Sequence, residues 1–269
     1  MTERFIPQGG LTALGASHTR QVGYPPQGLE PVVPNTLLTD LIGYWDLNES
    51  SATRFDSTAN GLDLTDHNTV GSAAGKLLSS AAFIEANLEY LTHASNPLLS
   101  VGGSRFFASA WVYITTLATA DNSQIICGKW GSGPTNLSWA LIWRNPTSAL
   151  WFGVRTAVGV TWTVVGTAGL ALNTWHHVIG HYSGSAGNTI DVQVNNGPIS
   201  APVAVNPGGL NPDVAPFAIG AEGGGAFAPD ARLEGRVDEV GFWKGHSPST
   251  EDRDALWNGG AGLSYSRFL

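Results

Sequence analysis

The chain has 269 residues, with 13 Lys or Arg against 21 Asp or Glu for a formal net charge of −8, and it carries 34 Gly, 10 Trp and a single Cys. Neutralising a phosphate backbone needs a basic face, so this balance argues against a nucleic-acid binder and against docking on anionic membranes. One cysteine excludes an intrachain disulfide, and no stretch reaches the roughly 20 apolar residues of a membrane-spanning helix.

Residues 1–36 differ from the rest. Pro7, Pro25, Pro26, Pro31 and Pro34 alternate with Gly9, Gly10, Gly15, Gly23 and Gly28. Proline removes ladder donors and glycine raises the entropic cost of ordering, so this stretch is expected to be an extended arm without a core of its own. Phe5, Ile6, Leu11, Leu14 and Tyr24 are scattered along it without helical spacing. They read as anchors for other protein subunits. The stretch also lacks the continuous apolar segment of a signal peptide.

From Leu41 onward the pattern is strand after strand. Leu41–Leu47 opens a domain expected to span 37–269. Phe106–Thr116 reads as a central strand, with Ala108, Ala110, Val112 and Ile114 on one parity. Further strands are expected at Ser138–Arg144, Ala149–Arg155, Val160–Val165, Trp175–Tyr182, Thr189–Val194, Phe217–Ala221 and Val237–Trp243. Asn196-Gly197 marks a hairpin. One short helix is expected near the end, capped by Ser249, favoured by Glu251 and Asp252 in its first turn, and stopped by Gly259-Gly260.

Several segments together resemble the laminin-G-like jelly roll of the concanavalin-A-like lectin and glucanase superfamily. They are Gly43-Tyr44-Trp45-Asp46-Leu47-Asn48-Glu49 with Asp56-Ser57-Thr58-Ala59-Asn60-Gly61, then Phe107–Ile114, then Asn173-Thr174-Trp175-His176-His177-Val178. Asp191–Gly197 and the closing Gly235-Arg236-Val237-Asp238-Glu239-Val240 complete the series. The resemblance implies an all-β fold, a two-sheet antiparallel jelly-roll sandwich with Greek-key connections. It implies no particular activity, because the fold serves lectins, hydrolases and structural modules.

Candidate sites follow. In related jelly rolls an ion often ties the first loop to the last strand, so the resemblance implies a structural Ca2+ site using Asp56, Asn60 and Asp238. The alternative is that Asp56 and Asn60 make the side-chain-to-backbone bonds of a tight turn. His176 and His177 are neighbours on a strand and should face opposite ways, which suits no shared metal, although His181 shares the parity of His177. A glycosidase needs two carboxyl groups with substrate between them. No alternating E-x-D-x-x-E run exists, and Asp238 and Glu239 should point to opposite faces. Catalysis is therefore not expected.

Among Trp130, Trp139, Trp143, Trp151 and Trp162, alternation sends several into the core; Trp130, beside a Gly-rich loop, is the best exposed candidate for stacking on a sugar, with Phe227 in a second Gly-rich loop. Trp45, Trp111 and Trp175 are expected in the core. Cys127, in an apolar run, is expected as a buried small hydrophobe.

The expectation is a non-catalytic structural or decoration protein of a large assembly, such as a phage head or tail. The arm would anchor it at a virion surface and the jelly roll would face outward, available for glycan adhesion. A free, extracellular lectin-like protein is the alternative, and a glycoside hydrolase the third reading.

Overall fold

The computed structural model describes residues 35–117, 123–131, 137–157, 162–212, 214–223 and 231–269. Contacts divide the chain into Met1–Pro31 and Val32–Leu269, and the described residues all belong to the second unit. The anchor candidates Phe5, Ile6, Leu11, Leu14 and Tyr24, together with Phe227, lie outside the described residues.

The strands, in chain order, are β1 Leu41–Trp45, β2 Thr65–His67, β3 Gly71–Ala74, β4 Ser79–Phe83, β5 Tyr90–His93, β6 Phe106–Ile114, β7 Ser123–Trp130 and β8 Leu137–Arg144. They continue as β9 Ala149–Arg155, β10 Trp162–Thr167, β11 Trp175–Tyr182, β12 Thr189–Val194, β13 Val203–Ala204, β14 Phe217–Ile219 and β15 Gly235–Lys244. One sheet runs β13-β12-β11-β6-β15-β4-β3, with β1 also paired to β15; the other runs β10-β9-β8-β7-β14-β5-β2. Every pairing between these strands is antiparallel. The all-β jelly-roll sandwich expected from the sequence is the observed fold.

Alternation explains how the layers assemble. Phe106, Ala108, Ala110, Val112 and Ile114 of β6 face the core between the sheets, while Phe107 belongs to a second cluster on the outer side. Between the sheets, Trp139 stacks on Phe242 at 5.5 Å and Trp45 on Phe217 at 4.8 Å. Rings of this size bury large apolar areas and dominate the packing energy. On the outer side of the β6 sheet, Leu256, Leu263 and Phe268 from the C-terminal segment pack over Tyr44, Phe107 and Trp243. Most of β6 is therefore covered on both faces, which is why it reads as a nearly continuous apolar run.

The C-terminal helix forms as expected, at Thr250–Trp257. Ser249 accepts from the Asp252 amide while Asp252 accepts from the Ser249 amide, a complete capping box. Left-handed Asn258 ends the helix, one residue before the expected glycines. The Asn196-Gly197 turn is also present, but Asn195 and Asn196 carry the positive φ values, at 51° and 52°. Asn tolerates this region well. Trp175 departs from expectation: it is half-buried at the start of β11, with its ring 5.5 Å from Tyr113. Thr36, the last residue assigned to the arm, donates to Asp252 next to the fully buried Leu37, so the end of the arm already serves the sandwich.

Candidate functional site

The chemistry-bearing residues fall into two groups: buried polar clusters, and side chains on the outer face of the seven-stranded sheet.

The acids of β15 form the first. Between Asp238 and Gly241 the pairing with β6 slips, and Glu239 adopts a left-handed φ of 48°. A bulge inserts a residue and resets the alternation. Val237, Val240 and Phe242 consequently face the core, and both acids leave the strand on the outer side. The expectation that Asp238 and Glu239 occupy opposite faces fails for this reason: a strict two-residue period does not survive a bulge.

Asp238 is 0% exposed and Glu239 3%. Asp238 accepts from the amides of Lys76, Leu77 and Glu239. Burial pushes its carboxyl up to about 7 against the pull of those donors. Burial, with the negative charges of Asp46 and Asp238, pushes Glu239 up to about 9.

The first loop is fastened in the same manner. Asp56 accepts from the amides of Tyr44, Thr58 and Leu62 and from the Thr58 hydroxyl. Asn60 donates through Nδ2 to the Ile42 carbonyl at 2.8 Å. These are the contacts of the turn alternative. Among the described residues no group of three or more His, Cys, Asp or Glu side chains is arranged to hold a metal ion.

The histidines separate as the strand period requires. His176 bonds the Ala171 carbonyl and Asn195, and its ring lies 6.0 Å from Trp143. His177 bonds Ser109 on the outer side, beside the stacked rings of Trp111 and Trp257, where burial lowers its pKa to about 3. His181 pairs instead with Asp191 and Ser247.

The outer face of the seven-stranded sheet is different. Trp139 and Trp143 are buried, as alternation implies. Trp130 and Trp151 are half-buried against Ile125, Ala140 and Ile142. The Trp130 indole donates to Glu222 at 2.9 Å, and the Arg144 guanidinium lies 4.6 Å from the Trp151 ring. The side chain of Trp162 lies outside what the structure describes.

Farther along the same face lies a trough of about 310 Å³, lined by Thr65, His67, Tyr90, Thr92, Ala94 and Pro216. It contains none of the candidate site residues expected from the sequence. Its only local signal is the alternation Thr65-x-His67 and Tyr90-x-Thr92, in two strands too short to be read as strands.

A family model described as the Concanavalin A-like lectin/glucanases superfamily matches residues 87–251. The chain belongs to this superfamily. The match leaves β1–β4 and the Asp56 loop on its N-terminal side. No curated protein matches the chain by sequence.

Solved structures of similar fold include the binding domain of Paraclostridial Mosquitocidal Protein 1, 12% identical, with a TM-score of 0.66 over 83% of this chain and 53% of that one. Domain 4 of AbnA, a GH43 extracellular arabinanase from Geobacillus stearothermophilus solved with arabinotriose, is 18% identical, with a TM-score of 0.58 over 80% of this chain and 97% of that one. The binding domain of Botulinum neurotoxin serotype G is 10% identical, with a TM-score of 0.61 over 81% of this chain and 50% of that one. The chain thus spans about half the length of the toxin binding domains. At these identities the likeness shows a shared fold.

Proposed function

We propose that this superfamily member is a non-catalytic carbohydrate-binding jelly roll. In this reading it is displayed at the surface of a larger assembly, such as a phage head or tail, with the Pro/Gly-rich arm as its anchor. The observation that carries the binding reading is the set of partly exposed rings on the outer face of the seven-stranded sheet, the half-buried Trp130, Trp151 and Tyr90. On the opposite outer face the C-terminal segment covers the central strands with Leu256, Leu263 and Phe268, and the half-buried Tyr113 lies beneath Arg236. Partly exposed rings fixed by neighbours suit a ligand with apolar C–H faces and polar rims.

The non-catalytic part is supported by the acids. A glycosidase places its two carboxyl groups on either side of a bound sugar, and Asp238 and Glu239 are instead enclosed. The similar folds include a domain solved with arabinotriose and toxin binding domains, which favours binding over hydrolysis. The arm's composition supports the anchoring part.

The test is to present the full-length protein to an array of neutral and acidic glycans and to assay bound glycans for cleavage. Retention without release of reducing sugar is expected. Cleavage overturns the non-catalytic reading, and failure to retain any glycan overturns the binding reading. Removing residues 1–34 should free the protein from its assembly without changing glycan retention; continued incorporation would overturn the anchoring role.

A further inference from the structure

We propose that the trough between β2, β5 and Pro216 is the glycan site, and that it takes one uncharged sugar residue. This rests on the carbohydrate reading above and adds a place and a ligand class.

The register builds the trough. Thr65 pairs with Thr92 and His67 with Tyr90 across β2 and β5. Leu91 and Leu64 face the core, so Tyr90, Thr92 and Thr65 face outward. Phe217 of β14 pairs with His93, which sets Pro216 beside Ala94.

The rings of His67 and Tyr90 stack at 4.3 Å with 3° between their planes, and His67 Nε2 bonds Thr92 Oγ1 at 2.8 Å. Both aromatics are thereby held before any ligand arrives, which spares the entropy of ordering them. The chemistry is mixed in the manner of a sugar. Ring carbons, Ala94 and Pro216 offer apolar contact, while Thr65, Thr92 and Tyr90 offer hydroxyl groups. Among the described residues the Tyr90 hydroxyl has no protein partner. At about 310 Å³ the trough lies at the lower end of small-molecule sites.

Charge selects among sugars. No Asp, Glu, Lys or Arg lines the trough. Burial pulls the His67 pKa below its ordinary 6.5, so the imidazole is neutral at physiological pH. An acidic or sulfated sugar would find no cation here, in a protein whose net charge is −8. The rival surface at Trp130 and Trp151 fits less well. Its indole N–H is engaged by Glu222, one ring lies beneath Arg144, and both rings pack against Ile125, Ala140 and Ile142.

The test is a titration of the isotope-labelled full-length protein with maltotriose, cellotriose, mannotriose and arabinotriose, with a glucuronic-acid trisaccharide as the charged control. Resonance shifts are expected at residues 65–67, 90–94 and 216, with a neutral trisaccharide only. Tyr90→Ala should bind roughly tenfold more weakly, and Ile199→Ala, an exposed side chain beyond β12 of the other sheet, should bind as the parent does. Ala94 is exposed, so Ala94→Glu fills the trough without touching the core and keeps the test valid if the tyrosine variant misfolds; it should abolish binding. Full affinity in Ala94→Glu, shifts centred on Trp130, or preference for the charged control overturns this site and leaves the carbohydrate reading standing. A parent protein that retains neither these trisaccharides nor any array glycan overturns both.

Discussion

The Tyr44 hydroxyl lies 2.8 Å from Glu239 Oε2 and 2.9 Å from the Leu263 carbonyl oxygen. A hydroxyl has one proton and cannot donate to both. A protonated Glu239 resolves this: its O–H donates to Tyr44, and Tyr44 donates to Leu263. The raised Glu239 pKa, at about 9, agrees with that arrangement. Because the folded value exceeds the ordinary 4.5, the native state keeps a proton that the unfolded chain gives up. The associated stability is fully present below pH 4.5 and is lost as pH rises toward 9. Asp238, raised from 3.8 to about 7, adds to the loss at the lower end of that range. Urea unfolding followed from about pH 5 to pH 9 should show stability falling by at most roughly 1.4 kcal/mol per pH unit for each proton. Glu239→Gln, which stays neutral, should flatten the profile; an unchanged slope would place the titration elsewhere.

Gly180 sits opposite Phe152 across the core. A Cβ there would come within 2.4 Å of Phe152 Cδ2 and 3.0 Å of Leu141 Cδ2. The strand cannot retreat, because β11 is paired on both sides, to β6 and β12. Gly180→Ala is therefore expected to destabilise by about 1–3 kcal/mol through overpacking. Adding Phe152→Leu should recover part of the loss, measured as a return of the urea midpoint. Independent, additive losses would mean that the two side chains do not meet.

Legibility in the sequence followed the strength of local pattern. β6, β9, β11 and the C-terminal helix were readable because long alternation or a capping pair marks them. β3 and β4, Gly-Ser-Ala-Ala and Ser-Ser-Ala-Ala-Phe, are built from small residues with no alternation, and their strand character comes from pairing with each other and with β15. The acids of β15 were misplaced because a bulge cannot be seen in a two-residue period. The trough was invisible for a different reason. His67 and Thr92 stand 25 positions apart, and only the pairing of β2 with β5 brings them together. Trp130 was legible as a half-exposed ring, whereas the carboxylate that holds its indole lies in a distant loop.

Arg253 on the C-terminal helix reaches Asp191 Oδ1 on β12 at 3.2 Å and Gln193 Oε1 at 3.1 Å. Asp191 Oδ2 also bonds His181 Nδ1 at 2.7 Å. Both charged partners are more than nine-tenths buried. Removing only the cation strands a buried carboxylate, so Arg253→Met should cost about 3–5 kcal/mol. The double variant Arg253→Met with Asp191→Asn should cost less than the two single losses summed. Strict additivity in chemical denaturation would show that the pair is not coupled.

Cys127 tests the core itself. It is fully buried on β7, paired with Leu141 on one side and Ile219 on the other. Burial pushes its thiol well above the usual range, and only the thiolate attacks disulfide reagents. The native protein is therefore expected to resist such a reagent at neutral pH and to react fully once unfolded. Because the site accepts a small apolar group, Cys127→Ala should be milder than Cys127→Ser, which buries a hydroxyl at a cost of about 1–3 kcal/mol if it finds no partner. Rapid labelling of the native thiol would mean that the two sheets open around β7 far more readily than their packing implies.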